Sequence, residues 1–148
     1  MAKKTAHRLC DTCGMGNEVE VRELLEGSTC RGCRGRLRPL TKPMRVDVGS
    51  LEAIVKGTRL PVLVEVQMRG SNEERDQVAS LEKVAEHMEG KLVVVKLDAN
   101  EDREFVLRLG VETVPAFVVF LEGAVAYNYE GHADAALMEE WIWQLTRG

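Results

Sequence analysis

The feature that most constrains this chain is a group of four cysteines near its start, arranged as two C-x2-C pairs. Cys10 and Cys13 form the first pair, Cys30 and Cys33 form the second, and sixteen residues separate the pairs. Two residues between cysteines let both sulfurs of a turn reach one ion, and two such turns supply tetrahedral coordination by four sulfurs. This spacing lies within the range typical of structural zinc sites. The sequence therefore predicts that the four cysteines bind one structural Zn2+.

The segment around these cysteines, residues 1–42, carries few large apolar side chains. A weak alternation over residues 18–25 indicates a short hairpin between the two pairs. Gly14 and Gly35 follow the pairs closely, where a tight turn needs a backbone conformation that glycine takes easily. Because about 40 residues of this composition cannot sustain a hydrophobic core, we expect the metal to supply the folding energy of this small zinc ribbon.

Two other functions are open for the ribbon. Its cysteine pairs could act as a dithiol redox couple or a redox sensor, although their spacing favours zinc. Four arginines crowd the second pair and could contact nucleic-acid phosphates. No aromatic residue occurs before Phe105, so the ribbon has no platform for base stacking, and balancing the negative charge of a tetrathiolate centre is the favoured role. The arginines are Arg31, Arg34, Arg36 and Arg38.

The distribution of charge divides the chain into two modules. Residues 1–45 hold ten Lys/Arg against five Asp/Glu, whereas residues 46–148 hold ten against nineteen. All cysteines fall in the basic part, so we expect a zinc ribbon over 1–42 and a second domain over 43–148. No apolar run approaches the roughly 20 residues that a membrane span needs, and no apolar core follows the basic N-terminus. A cytoplasmic location without a membrane partner is therefore expected.

The second domain alternates strand and helix patterns. Residues 62–66 form a near-continuous apolar run, which is typical of a strand buried on both faces. The complete order is β-α-β-α-β-α-β-β-α, and it predicts an α/β fold with a mixed central sheet and helices on both faces. The expected strands cover 45–48, 62–66, 92–97, 116–121 and 125–129, and the expected helices cover 50–57 (capped by Ser50), 72–89, 102–109 and 134–146.

Three stretches of this domain resemble the thioredoxin family. Residues 61–66 are similar to the family's central strand, with Glu65 where that strand carries a buried acid. Residues 91–98 are similar to the next strand, and residues 109–116 to the turn that ends in a cis-proline. The whole chain resembles the thioredoxins that carry an N-terminal zinc ribbon. The resemblance implies a thioredoxin-like fold, a mixed central sheet flanked by helices, preceded by that ribbon.

The family's redox motif, Trp-Cys-Gly-Pro-Cys-Lys, falls on residues 70–75, which read Gly-Ser-Asn-Glu-Glu-Arg here. Ser71 and Glu74 thus occupy the two cysteine positions. Thiol–disulfide exchange requires an attacking thiolate and a second thiol, and neither a hydroxyl nor a carboxylate can replace them. Residues 71–74 instead have the form of a capping box at the start of a helix. We therefore expect no catalytic residue at this position and a redox-inactive protein.

The resemblance also implies where a partner would bind. In the family, an extended segment lies beside the cis-proline and forms backbone hydrogen bonds with it. The corresponding groove here would consist of Gly70, Ser71, Val114 and Pro115, and its occupant would be a protein or peptide client. This favours a binding or scaffolding module. Glu65, an acid in an apolar run, is expected either to be buried with a raised pKa or to be paired, with Lys96 as the favoured partner. No other polar group is visibly arranged with Glu74 in the sequence.

Overall fold

A computed structural model describes residues 5–20, 23, 27–38 and 42–147 of the chain. Its N-terminal part consists of two small antiparallel hairpins, and each hairpin encloses one C-x2-C pair. The first hairpin pairs β1 (Thr5–Leu9) with β2 (Gly16–Glu20), and the second pairs β3 (Ser28–Thr29) with β4 (Arg36–Leu37).

The hairpin expected over residues 18–25 is tested by the structure only at residues 18–20, which belong to β2. Val19 lies opposite Ala6, so β2 pairs back onto the strand before the first cysteine pair. The turn at that pair brings the two strands together, whereas the alternation alone did not specify which strand would be the partner. Val21, Leu24 and Leu25 of the expected hairpin lie outside the described residues.

The remainder forms a five-stranded sheet in the order β5-β7-β6-β8-β9. Strands β5, β7 and β6 are parallel, β8 is antiparallel to β6, and β9 is antiparallel to β8. The predicted alternation of strands and helices is confirmed across residues 44–146. The strands are β5 (Met44–Val46), β6 (Val62–Gln67), β7 (Val93–Asp98), β8 (Ala116–Leu121) and β9 (Ala124–Glu130). The helices are α1 (Val48–Gly57), α2 (Asn72–His87), α3 (Arg103–Arg108) and α4 (Ala135–Thr146). No helix among the described residues is long and apolar enough to cross a membrane.

The central strand β6 is buried along its whole length. Val64 belongs to the apolar cluster formed with α1 and α3, whereas Leu63 belongs to the cluster formed with α2 and α4. Because strands lie on both sides of β6 and helices on both faces, every residue of β6 is buried, as predicted from its apolar run. The same placement carries Glu65 into the core with no exposed surface.

The start of α1 differs from the expectation. Asp47, not Ser50, is the N-cap, and its carboxylate accepts the Ser50 N–H at 2.6 Å. Both residue types cap helices well, so local preference could not separate them. Because Asp47 takes this role, the preceding strand ends at Val46 instead of continuing to Val48.

Candidate functional site

The four cysteine thiols converge on one point. All four sulfurs lie within 4.8 Å of one another, with 3.7 Å between Cys10 and Cys33 and 3.7 Å between Cys13 and Cys30. A regular tetrahedron with Zn–S bonds of about 2.3 Å has sulfur–sulfur edges of about 3.8 Å. All four cysteines are free of disulfide bonds. The thiols thus lie at metal-binding distance, and this donor set could hold a tetrahedral ion such as Zn2+.

The two turns that carry these thiols share one backbone geometry. Gly14 N–H donates to the carbonyl of Cys10 at 2.9 Å, and Arg34 N–H donates to that of Cys30 at 3.0 Å. Gly14 has φ of 76° and Arg34 has φ of 63°. The left-handed position of the second turn was expected near Gly35 and is instead occupied by Arg34. Gly35 has a different constraint, since a Cβ there would lie 3.2 Å from a cysteine sulfur.

Neighbouring groups give the thiols unequal acidity. The hydrogen bond from Asn17 lowers the pKa of Cys30 to about 6. Although the Gly35 N–H favours the Cys33 thiolate, hydrogen bonding with Cys10 raises the pKa of Cys33 to about 11. Thiolates held this close repel one another, and a nearby cation is what allows all of them to ionise. The chemistry of the cluster is therefore suited to a divalent metal ion.

A second site lies where β6 ends and α2 begins. The Ser71 hydroxyl accepts the Glu74 N–H at 3.1 Å, and the Glu74 carboxylate accepts the Gly70 N–H at 3.0 Å. The capping box expected here forms, with the carboxylate reaching one residue beyond the cap itself. These bonds satisfy N–H groups that have no partner within the helix, and they place a negative charge at the positive end of its dipole.

Charged side chains form a row beneath this turn. Arg45, Lys96 and Glu65 are neighbours in register across the parallel strands β5, β7 and β6. Arg45 donates to the Glu74 carboxylate at 2.7 Å, and the Lys96 ammonium lies 3.9 Å from the same oxygen. The expectation that no polar group joins Glu74 is wrong. Arg45 lies 29 residues away in sequence, and the order of the strands brings it here.

Of the two alternatives for Glu65, the favoured pairing with Lys96 is wrong, whereas burial with a raised pKa agrees with the structure. Both carboxylate oxygens of Glu65 lack a hydrogen-bond partner among the described residues, and burial raises the pKa of this carboxyl to about 7 against the opposing charge of Lys96. Burial acts on Glu74 as well, but the Gly70 N–H and the Arg45 guanidinium lower its pKa. Direct hydrogen bonds stabilise a carboxylate charge more than attraction to a more distant cation does. Glu74, and not Glu65, is therefore the carboxylate that contacts Arg45 and Lys96.

The predicted cis-proline is present beside this turn. The Val114–Pro115 peptide bond is cis, and the next residue, Ala116, begins β8. Val66, near the end of β6, lies opposite Ala116 in the antiparallel register. The turn that contains Gly70 and the cis-proline loop therefore emerge at the same edge of the sheet.

A cavity of about 340 Å³ lies at this edge, and the predicted groove coincides with it only in part. Val114 lines it, whereas Gly70, Ser71 and Pro115 are not among its lining residues. Sequence reasoning missed Met68, because an exposed residue directly after a buried strand gives no periodic signal. The cavity is lined by Met68, Ala99, Asn100, Arg103, Val106, Leu107, Val111, Glu112 and Val114.

The cis-proline loop is held in place from β9. The Glu130 carboxylate accepts the Glu112 N–H at 3.0 Å and the Thr113 hydroxyl at 2.6 Å. Gly131 N–H donates to the Pro115 carbonyl at 2.7 Å. The Thr113 hydroxyl, followed by the backbone contacts, lowers the pKa of Glu130. One wall of the cavity is thus fixed by three hydrogen bonds before any partner arrives.

Comparison with known proteins identifies relatives of part of this chain. Residues 72–144 match the family model described as Thioredoxin. Thioredoxin Y, chloroplastic, from Oryza sativa subsp. japonica is 27% identical over 86 residues, which are 58% of this chain and 51% of that protein. The chain therefore spans about half the length of this curated relative.

Solved structures of similar fold include two chloroplast proteins. Thioredoxin f from spinach chloroplast has a TM-score of 0.64 and 26% identity, over 73% of this chain and 88% of that one. Chloroplastic thioredoxin z has a TM-score of 0.65 and 24% identity, over 72% of this chain and 96% of that one. The matched family region begins at Asn72, directly after the helix cap, and excludes the cysteine-bearing hairpins.

Proposed function

We propose that this chain, whose residues 72–144 match the Thioredoxin family model, is a redox-inactive thioredoxin-like protein that binds protein or peptide clients. The observation that carries the proposal is the occupancy of the turn before α2. Ser71 and Glu74 occupy the two cysteine positions, and both side chains form hydrogen bonds of the helix cap. No cysteine follows Cys33 in this sequence. Electron transfer between disulfides needs two thiols at that point.

The binding role is supported by the cavity beside the cis-proline. Its apolar side chains include Met68, 47% exposed, and Leu107, 61% exposed, together with half-buried Val114. A wall already fixed by Glu130 reduces the ordering cost of binding. An extended client segment could place an apolar side chain in this cavity while its backbone pairs with the loop.

The proposal includes two modules, a zinc ribbon over residues 1–42 and the thioredoxin-like domain over 43–148. Four thiolates in tetrahedral spacing favour zinc over harder cations such as Mg2+. The ion would act by folding the ribbon, not by chemistry on a substrate. A cytoplasmic location, in which cysteines remain reduced and available to metal, is part of the proposal.

Reduction of insulin by dithiothreitol tests redox inactivity. We expect the protein to leave the rate at that of the buffer blank, because neither side chain at the turn can form a mixed disulfide. The matched variant is Ser71→Cys combined with Glu74→Cys, which restores two thiols at a helix N-terminus, where the thiolate is stabilised. The variant is expected to exceed the blank.

Catalysis by the unaltered protein would contradict redox inactivity. If that activity disappeared when the four ribbon cysteines were alkylated, it would support the alternative in which the ribbon itself is the redox element. Two of its thiols, Cys13 and Cys33, are exposed and accessible to such chemistry.

A comparative capture experiment tests client binding. Val114→Glu places a charge in the cavity and is expected to reduce capture of bound proteins at least about tenfold, because an unpaired charge is costly in an apolar contact. The matched control is Val125→Glu, which charges an exposed apolar residue on β9. Equal capture by the wild type and both variants would show that the cavity is not the binding surface.

A further inference from the structure

The Asn17 side chain links the two halves of the cysteine group. It lies on β2, four residues after the first pair, and is only 2% exposed. Its amide nitrogen donates to the Cys30 sulfur at 3.5 Å and to the Met15 carbonyl at 3.2 Å. Its amide oxygen accepts the Arg31 N–H at 2.9 Å. A single residue of the first hairpin therefore contacts both a thiol and the backbone of the second turn.

Among the described residues 27–38, which include the second hairpin, no side-chain amide makes an equivalent contact with the first cysteine pair. Leu37 stands four residues after Cys33, as Asn17 stands after the first pair, and its buried side chain cannot donate a hydrogen bond. The Cys30 sulfur also receives the Gly32 N–H at 3.4 Å. Donors around a ligand sulfur disperse its charge and fix its position. The Asn17 contact thus distinguishes Cys30 from the other three thiols.

We propose that Asn17 is a positioning residue of the metal centre, which holds Cys30 against the first cysteine pair and slows release of the ion. The inference rests on the proposed zinc ribbon. Loss of the amide donor leaves a more electron-rich Cys30 thiolate whose position is less fixed. It also removes a hydrogen bond between the two hairpins. Substitution of such outer contacts in metal sites commonly weakens metal binding by about 10- to 100-fold.

Two variants separate the two parts of this role. Asn17→Asp preserves an oxygen acceptor for the Arg31 N–H, removes the amide donor to the Cys30 sulfur and the Met15 carbonyl, and adds a negative charge, whereas Asn17→Ala removes all three contacts without adding a charge. Both are expected to release Zn2+ to an excess of chelator at least about tenfold faster than the wild type. Glu18→Gln is the matched control, because this exposed neighbour on β2 contacts Thr5 and not the cysteines.

Cobalt substitution supplies a readout that a purely structural role would not change. With one Co2+ bound per chain, the sulfur-to-cobalt charge-transfer band is expected to move to lower energy in both Asn17 variants. The cause is the loss of a hydrogen bond that withdraws charge from the Cys30 sulfur. The band of Glu18→Gln is expected to coincide with that of the wild type.

Metal content of the wild-type chain is measured first, so that the two proposals are tested separately. A wild type that binds no Zn2+ or Co2+ overturns both the ribbon and the role of Asn17. If the wild type and Glu18→Gln each hold one ion, and both Asn17 variants show wild-type release rates and an unmoved band, only the inference about Asn17 is wrong.

Discussion

Removal of the metal that we propose for the cysteine cluster is expected to unfold residues 5–38, while residues 44–146 retain their fold. Apart from cysteines, the buried apolar side chains among the described residues 5–20, 23 and 27–38 are Val19 and Leu37. Two such residues cannot offset the entropy of ordering about 30 residues. Structural zinc contributes about 10–16 kcal/mol in modules of this kind, so its loss removes the main source of ribbon stability.

Hydrogen exchange measures this result for each segment. After chelation under reducing conditions, amides of β1 to β4 are expected to exchange freely, whereas those of β6 to β8 keep their protection. Cys10→Ser is expected to reproduce the metal-free pattern. Thr12→Ala, an exposed change within the same turn, is expected to retain the metal. Protected amides throughout β1 to β4 in metal-free, reduced protein would show that the ribbon folds without an ion.

Glu65→Gln is expected to stabilise the protein near pH 8 and to change its stability little near pH 5. Burial raises the pKa of Glu65 from 4.5 to about 7, so the folded state holds this proton more tightly than the unfolded state. Stability therefore falls as pH rises from 4.5 to about 7, by about 3 kcal/mol in full. Glutamine keeps the shape of the side chain and carries no charge. Its burial therefore does not incur the cost of removing a charge from water.

Urea denaturation at a series of pH values measures the effect. The difference in free energy of unfolding between Glu65→Gln and the wild type is expected to grow as the pH rises from 4.5 and to level off above about pH 7. Glu82→Gln, an exposed change on α2, serves as the control and is expected to follow the wild type at every pH. Parallel profiles for Glu65→Gln and the wild type would mean that the buried carboxyl finds a charge-stabilising partner.

Local patterns in the sequence were sufficient for the order of the elements and for the cap of α2, although they assigned the cap of α1 to Ser50 instead of Asp47. The apolar run at 62–66 identified the central strand, and Ser71 with Glu74 formed the expected box. Spacing also anticipated the approach of the four thiols, because two residues between cysteines restrict both sulfurs to one turn. The strand and the capping box depend on residues that are close together in the sequence. Each C-x2-C turn likewise has a geometry that is set by its own few residues.

Tertiary structure alone decided which distant side chains meet. Arg45 reaches Glu74 because β5 lies next to β7 and β7 next to β6, an order that no local pattern specifies. The same order left buried Glu65 without a hydrogen-bond partner among the described residues. Asn17 reaches Cys30 only once the two hairpins have come together. Each side chain could have had several partners, and the free energy of the whole fold, not the preference of any segment, selects among them.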